Sequence, residues 1–298
     1  MATSLSDDLR RALRADGNAL HRLILYNVLV FVGLVLVRVV CEIILRHPAW
    51  YAAVHDLLVL PSWVSGPQSL PTRPWTIITY AFTHEAFFHI LFNMLNLYWF
   101  GQLIVEYLNA RRLVSLYVLG ALAGALMYLL ALNLVPELAH RFPLARVEGA
   151  SGAVLAVIVA AATLLPDYTF MLLLLGPVRI KWIAAVLVLL SVSGLTGGNA
   201  GGAGAHLGGA ILGFVYIKQL QAGRDLGAPL QRAWAWLTGL FSPAPAPRAA
   251  SARSTATTVG TPTADEATID RILDKINRSG YESLTKDEKQ QLFRASKK

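Results

Sequence analysis

The sequence predicts an all-α membrane protein: a six-transmembrane-helix bundle followed by a linker and a short helical tail. Hydrophobic residues make up 55% of the 298 residues and charged residues only 15%, whereas about a quarter of the residues in soluble domains are charged. The mean hydropathy is +0.51. Apolar runs near the length of about 20 residues that crosses a bilayer recur along the chain, and polar loops separate them.

Recognisable breaks separate the predicted spans. A polar, Arg-rich segment precedes the first span without a small-residue cleavage signal, so we expect no cleavable leader. An amphipathic connector and a loop rich in Pro, Ser and Gly separate the first span from the second. Arg111 and Arg112 close the second span, a Gly-Pro break precedes the fifth, and a glycine-rich loop leads into the sixth. The six spans are predicted at residues 23–45, 82–105, 113–134, 149–166, 180–192 and 202–220.

The basic residues indicate topology and a lipid partner. A formal net charge of +8 would favour nucleic acid in a soluble protein, but here Lys and Arg gather at span ends and in the tails. We therefore expect contact with the lipid bilayer and no binding of nucleic acid. Because basic residues precede the first span and follow the even-numbered spans, both termini are predicted in the cytoplasm. The even-numbered spans then start at the outer face.

The segments outside the spans differ from them in composition. We expect a cytoplasmic N-terminal segment at residues 1–22, the six-span domain at 23–220, a largely disordered linker at 221–263 and a short helical tail at 264–298. The four-residue segments that start at Thr263 and at Thr285 fit the capping box of a helix N-terminus. About 35 residues are too few for a stable lone core. The tail is therefore either a partly folded segment or a docking module for an unknown partner or for the membrane domain.

Four polar residues lie near the starts of the second, fourth and sixth predicted spans: His89, Asn93, Ser151 and His206. Polar groups inside a bilayer are costly and usually functional, and these four are expected to meet at one depth because the even spans enter from one side. A serine hydroxyl becomes a nucleophile when a histidine takes its proton. His89 and Asn93, about 40° apart on a helix, can both donate to a developing oxyanion. The sequence thus predicts a hydrolytic site inside the membrane.

Small residues support this geometry. Ser151 lies between Gly149 and Gly152 at a predicted helix start, where free N–H groups and positive potential suit an oxyanion. Gly209 and Gly213 have the spacing that lets two membrane helices approach closely. The sixth span is therefore expected to pack against the fourth.

Each of these signals has a plainer interpretation. Glycine-flanked serines usually indicate close packing, and membrane histidines or asparagines often link helices by hydrogen bonds. It is the shared depth of the four groups that favours a site. His84, Glu85 and His89 resemble a zinc-protease motif, but its histidines are four residues and about 40° apart, whereas these are five residues and about 140° apart. We therefore expect no metal and no cofactor. A transporter is disfavoured because the spans lack paired acids.

Three motifs resemble those of the rhomboid intramembrane serine proteases, over about residues 23–220: HILFN starting at His89, GASG containing Ser151, and GGAGAH ending at His206. The resemblance implies a six-helix bundle with a Ser–His dyad. By this resemblance, Ser151 is the nucleophile and His206 its general base and acid. His89, Asn93 and the backbone N–H of Ser151 form the oxyanion hole.

The resemblance also implies a location and a substrate class. It implies a multi-pass protein of the bacterial inner membrane that cleaves transmembrane segments of membrane proteins near the outer face. The loop containing Trp75 would be partly embedded, and the fifth span would be a mobile gate for substrate. Two positions depart from the family pattern: Thr76 stands where an arginine is frequent, and Leu155 where an aromatic residue often stacks on the dyad histidine. Since neither removes a catalytic group, we expect an active enzyme. The alternative is a catalytically silent rhomboid-like binder of membrane helices.

Overall fold

Helices form almost all of the regular structure of this chain. A computed structural model describes residues 19–62, 69–141, 145–172, 175–196, 199–241, 264–279 and 283–295. The first predicted capping box begins at Thr263, outside the described residues, as does most of the predicted N-terminal segment. The chain divides into two compact units, Met1–Leu237 and Thr238–Lys298.

The described helices are α1 (Ala19–Arg38, continued by a π-helix at Val39–Ile44), α2 (Pro48–Asp56), α3 (Thr76–Thr79), α4 (Phe87–Tyr107), α5 (Ala110–Leu134), α6 (Pro136–Arg141), α7 (Ser151–Leu164), α8 (Ile180–Gly194), α9 (Ala200–Gln221), α10 (Ala228–Phe241), α11 (Ala264–Ser279) and α12 (Lys286–Ala295). Short 3₁₀ turns lie at Leu70–Thr72 and Tyr80–Phe82. Two antiparallel pairs complete the structure: β1 (Leu60–Pro61) with β2 (Arg146–Val147), and β3 (Thr169–Leu172) with β4 (Gly176–Arg179).

The predicted all-α membrane class is confirmed. Within the described residues, α1 with its π-helical extension, α4, α5 and α9 are long and apolar enough to cross a membrane, at 26, 21, 25 and 22 residues. The helices of the predicted fourth and fifth spans, α7 and α8, are apolar but shorter, at 14 and 15 residues. This is a membrane protein with several apolar helices.

The second span begins later than predicted. We expected it from residue 82, but α4 starts at Phe87. Tyr80–Phe82 forms a separate 3₁₀ turn, and the backbone is extended at Thr83 and again at Ala86. The apolar run continues through this break, so hydropathy alone does not reveal it.

The helix α5 holds the loops that precede α4 and α7. Buried tyrosine hydroxyls make these ties: Tyr117 donates to the carbonyl of Ala81 at 2.7 Å, and Tyr128 donates to the carbonyl of Ala145 at 2.7 Å. The α7 helix is buried between α4, α5 and α9 along most of its length. The start of α7 is therefore set by the core of the bundle.

One helix lies where we predicted a linker. The expectation of a largely disordered segment at 221–263 is wrong for α10, Ala228–Phe241. The Pro-, Ser- and Thr-rich composition behind that prediction belongs to residues 242–263, whereas α10 is rich in helix-forming and apolar residues. Its Pro229 lies in the first turn, where the missing N–H costs no hydrogen bond. Trp234 and Trp236 on this helix are exposed.

The second unit contains a small helical pair. Ile272 on α11 and Leu284, just before α12, are buried. The Lys275 ammonium forms an ion pair with the Glu288 carboxylate at 2.9 Å. This contact, together with a hydrogen bond from the Thr285 backbone N–H, holds the pKa of Glu288 below its usual range. The Thr285 hydroxyl accepts from the Glu288 N–H at 3.3 Å, while the Glu288 carboxylate accepts from the Thr285 N–H at 2.7 Å. The structure thus contains the capping box that the sequence predicted at Thr285.

Candidate active site

The centre of the site is a hydrogen bond between a serine and a histidine from different helices. Ser151 is the first residue of α7, and His206 lies in the second turn of α9. The Ser151 Oγ lies 2.7 Å from the His206 Nε2. This is within the range at which an imidazole can take a hydroxyl proton.

Glycines let α7 and α9 approach closely enough for this contact. A Cβ atom added to Gly209 would overlap the carbonyl oxygen of Gly152, and one added to Gly213 would overlap the carbonyl oxygen of Ala156. The α9 backbone therefore lies directly on the α7 backbone. Any larger side chain at either α9 position would force the two helices apart.

His89 and Asn93 lie one turn apart on α4, at the other side of the Ser151 loop. The His89 ring lies against the backbone of Gly149, which has a φ of +112°, and a Cβ there would come within 2.6 Å of His89 Cε1. The Asn93 amide donates to the carbonyl of His89 at 2.9 Å. Since an amide carries two hydrogens, the second one remains for another acceptor. Both residues line the same cavity as Ser151.

His84 fixes the turn that precedes Ser151. Its Nε2 accepts a hydrogen bond from the Ala150 N–H at 3.2 Å, and its ring centroid lies 5.0 Å from that of His89. The carbonyl of Tyr80 accepts from the Gly149 N–H at 2.9 Å. We used His84 in the sequence only to argue against zinc, so this supporting contact was missed.

Ser191 is a further site residue that we did not identify in the sequence. It lies on α8, is 7% exposed, and places its Oγ 3.1 Å from the Nδ1 of His206. The same hydroxyl donates to the carbonyl of Leu187 at 2.9 Å. Its only sequence signal is that of a polar residue within an apolar span.

One cavity of about 540 Å³ is lined by five of the site residues: His89, Asn93, Ser151, Ser191 and His206. Four helices line it, namely α4, α7, α8 and α9. On one side α4 and α8 make little direct contact with each other, and Phe88, Phe92 and Leu190 there are 67%, 60% and 60% exposed. Leu155, at the second position that departs from the family pattern, also lines this cavity. The cavity therefore combines polar groups in its lining with an apolar gap between two helices.

The loop containing Trp75 is tied to α2. The Trp75 indole donates to the carbonyl of Leu57 at 2.8 Å, and the Arg73 guanidinium donates to the carbonyl of Asp56 at 2.6 Å. The Thr76 hydroxyl, at the position that departs from the family pattern, donates to the carbonyl of Arg73 at 2.7 Å. An arginine therefore does serve this loop, from a position three residues earlier.

One group of potential metal ligands lies near the site. The ligand atoms of His55, Glu85 and Glu148 lie within 4.8 Å of one another, and the His55 Nε2 is 2.7 Å from a carboxylate oxygen of Glu148. Within the part of the chain that the structure describes, the cavity lining does not include these three residues. The Ser151–His206 pair instead supplies a hydroxyl and an imidazole, the groups used in nucleophilic and acid–base catalysis.

Two family models match this chain. A rhomboid domain model matches residues 71–221, about half of the chain. A family of unknown function (DUF6576) matches residues 263–298, which contain α11 and α12. All of the residues that surround the Ser151–His206 pair lie within the first match.

Curated relatives are similar over the same region. The chain is 33% identical over 161 residues to RHOMBOID-like protein 12, mitochondrial, from Arabidopsis thaliana, covering 51% of this chain and 48% of that protein. It is 34% identical over 150 residues to Rhomboid protein 1, mitochondrial, from Saccharomyces cerevisiae, covering 49% of this chain and 41% of that protein. The alignments thus span about half the length of the relatives.

Proposed function

Because this chain belongs to the rhomboid family, we propose that it is an intramembrane serine endopeptidase that cleaves transmembrane segments of membrane proteins. The observation that carries the proposal is the 2.7 Å separation of Ser151 Oγ and His206 Nε2 at the wall of a cavity with an apolar gap. A nucleophile paired with its base inside an apolar bundle suits a peptide bond that lies in a membrane.

The proposed reaction is acyl transfer to Ser151 followed by hydrolysis. The Ser151 oxygen bonds the scissile carbonyl carbon while His206 takes the hydroxyl proton. His206 then gives this proton to the leaving amine as the carbon–nitrogen bond breaks, leaving an acyl-enzyme. A water molecule then attacks the ester carbon while His206 takes one of its protons. His206 returns this proton to the Ser151 oxygen as the ester bond breaks, which releases the carboxylic acid product and restores both residues.

The oxyanion would be stabilised by three groups around the start of α7. The Ser151 N–H has no acceptor within its own helix, because it belongs to the first turn, and the positive end of the helix dipole lies there. The His89 ring and the free hydrogen of the Asn93 amide complete the proposed hole. Donors fixed before the reaction stabilise developing charge without reorganisation.

Substrate would reach the site through the gap between α4 and α8. The exposed rings of Phe88 and Phe92 on α4 suit contact with the side chains of a membrane helix. The α8 helix packs on α7 and α9 but not firmly on α4, which suits a gate. We expect small residues at the cut.

The proposed location is the inner membrane of a bacterial cell, with several spans and both termini in the cytoplasm. The charge distribution described above supports this orientation. The cut would then lie near the outer face, where the even-numbered spans begin. The two relatives named above carry mitochondrial names, which concern those proteins. The partner of the tail stays unassigned.

The deciding experiment uses the full chain reconstituted in liposomes with a reporter transmembrane substrate. We expect a fluorophosphonate probe to label Ser151, identified by peptide mapping, and we expect the probe to block the release of substrate fragments. Binding of the substrate helix with neither labelling nor cleavage would contradict the proposal and favour a silent binder.

Replacing Gly149 with alanine tests the oxyanion hole. The Gly149→Ala methyl group would meet the His89 ring, so we expect kcat to fall by about 10²-fold, as on losing one oxyanion donor. KM should change little, since the donors act in the transition state.

The matched control is Gly176→Ala. Gly176 also has a positive φ, +68°, but nothing lies within 4 Å of its added Cβ. It therefore also places a side chain at a positive φ, but without touching the site. Equal losses of kcat in the two variants would contradict an oxyanion role for His89.

A further inference from the structure

The His206 imidazole has a hydrogen-bond partner on each ring nitrogen. Nε2 faces the Ser151 hydroxyl at 2.7 Å, and Nδ1 faces the Ser191 hydroxyl at 3.1 Å. The two serines belong to different helices, α7 and α8. The ring is thus held in a line of three side chains rather than in a pair.

The hydrogens available in this line favour one tautomer of His206. A hydroxyl carries one hydrogen, and that of Ser191 is donated to the carbonyl of Leu187 at 2.9 Å. The Ser191 oxygen is then free to accept a hydrogen bond from an N–H at Nδ1. A neutral imidazole carries only one N–H, so Nε2 presents its lone pair to Ser151. This is the tautomer that can accept the serine proton.

We infer that Ser191 is a positioning residue that fixes the proton-accepting tautomer and the orientation of His206. The inference rests on the proposed function and deepens it. In Ser–His–Asp enzymes the aspartate holds the Nδ1–H and stabilises the imidazolium that forms. In this chain the neutral Ser191 hydroxyl oxygen takes the position of that aspartate at Nδ1 of His206. Once His206 has taken the proton, the bond to Ser191 becomes charge-assisted and therefore stronger.

The burial of α8 supports this role. Only Ile180, Ala184 and Ser191 are buried among the residues of α8, whereas Val186 and Leu189 are 56% and 67% exposed. The polar Ser191 is thus one of the few points at which this helix is anchored in the bundle. Leu155 offers no ring to stack on the imidazole, which leaves hydrogen bonds to hold its plane. A shift of α8 would therefore change the tautomer and orientation of His206.

Three variants of the full-length protein in liposomes test the inference by activity. For Ser191→Ala we expect kcat to fall about tenfold, near the upper range for one lost hydrogen bond, with KM changed by less than about twofold. Ser191→Thr keeps the hydroxyl and should restore most of kcat. Ser193→Ala is the matched control, because Ser193 is an exposed α8 serine that donates to the carbonyl of Leu190. Equal losses in Ser191→Ala and Ser193→Ala, or no loss in Ser191→Ala, would overturn the inference.

A spectroscopic readout separates this inference from the proposed function. In ¹⁵N-histidine NMR spectra near pH 8, where imidazole is neutral, we expect His206 to show a protonated Nδ1 and an unprotonated Nε2. Its signals are identified by their loss in His206→Gln. Ser191→Ala should shift this population towards the Nε2–H form, and Ser191→Thr should not. A wild-type His206 protonated at Nε2, or a tautomer unaffected by Ser191→Ala, would refute the inference. Since no turnover is needed, this measurement decides it even if cleavage is absent.

Discussion

Replacing Ser151 with alanine is expected to lower cleavage of a reporter transmembrane substrate by at least about 10⁴-fold. Under the proposed mechanism the Ser151 oxygen forms the acyl-enzyme, and no acyl-enzyme can form without it. His206→Ala should cost a similar factor, because the hydroxyl is a weak nucleophile without its base. Residues that act as one unit are strongly non-additive. The double variant should therefore be no slower than either single variant.

The measurement is the rate of fragment release from liposomes, with probe labelling as a second readout. Thr163→Ala is the matched control, since Thr163 is another hydroxyl residue of α7 whose side chain donates to the carbonyl of Val159 at 2.7 Å. It should cleave at a rate near that of wild type. Turnover within about tenfold of wild type in Ser151→Ala or His206→Ala would remove these residues from the proposed roles.

Replacing Gly209 with leucine is expected to separate the two halves of the site. The added Cβ would overlap the carbonyl oxygen of Gly152, so α9 must move away from α7. His206 lies one turn before Gly209 and moves with it. A misplacement of about 1 Å can cost about 10²-fold in rate, and overpacking costs about 1–3 kcal/mol of stability. We expect at least this loss of kcat, together with a lower unfolding temperature.

Gly33→Leu provides the comparison for this prediction. Gly33 lies in the apolar helix α1, and nothing lies within 4 Å of its added Cβ. Thermal unfolding in detergent and probe labelling in liposomes should both stay near wild type in this variant. If Gly209→Leu matched Gly33→Leu in both measurements, α7 and α9 would not need their close contact.

Hydropathy and spacing predicted much of the fold and drew attention to the residues that the structure brings together. The apolar runs predicted the membrane class, since a helix that crosses a bilayer needs about 20 predominantly apolar residues. The spacing of Gly209 and Gly213 predicted the close packing of α9, because a glycine pair four residues apart lies on one helix face. Polar groups such as Ser151 and His206 stand out in such a background because burying them is costly.

Other features depend on contacts that no local pattern contains. The break before α4 depends on the extended backbone at Thr83 and Ala86, which hydropathy does not record. Ser191 bonds the carbonyl of Leu187 four residues earlier, as serines in many helices do. Its contact with His206 follows from the packing of α8 on α9. The pairing of β3 with β4, which begins at Gly176, was likewise recognised only as a Gly-Pro break.

The shortness of α8 has a consequence for the lipid around the molecule. Fifteen residues make a helix of about 22 Å, against a hydrocarbon thickness of about 30 Å. Val186, Leu189 and Leu190 are exposed along it, so α8 by itself offers a shorter apolar length than the hydrocarbon core, a case of hydrophobic mismatch. Where the bilayer thins to match α8, a substrate helix of ordinary length would extend its end turns into the headgroup layer. Water there competes for the backbone hydrogen bonds of these turns. Acyl-chain length is therefore expected to affect the proposed cleavage.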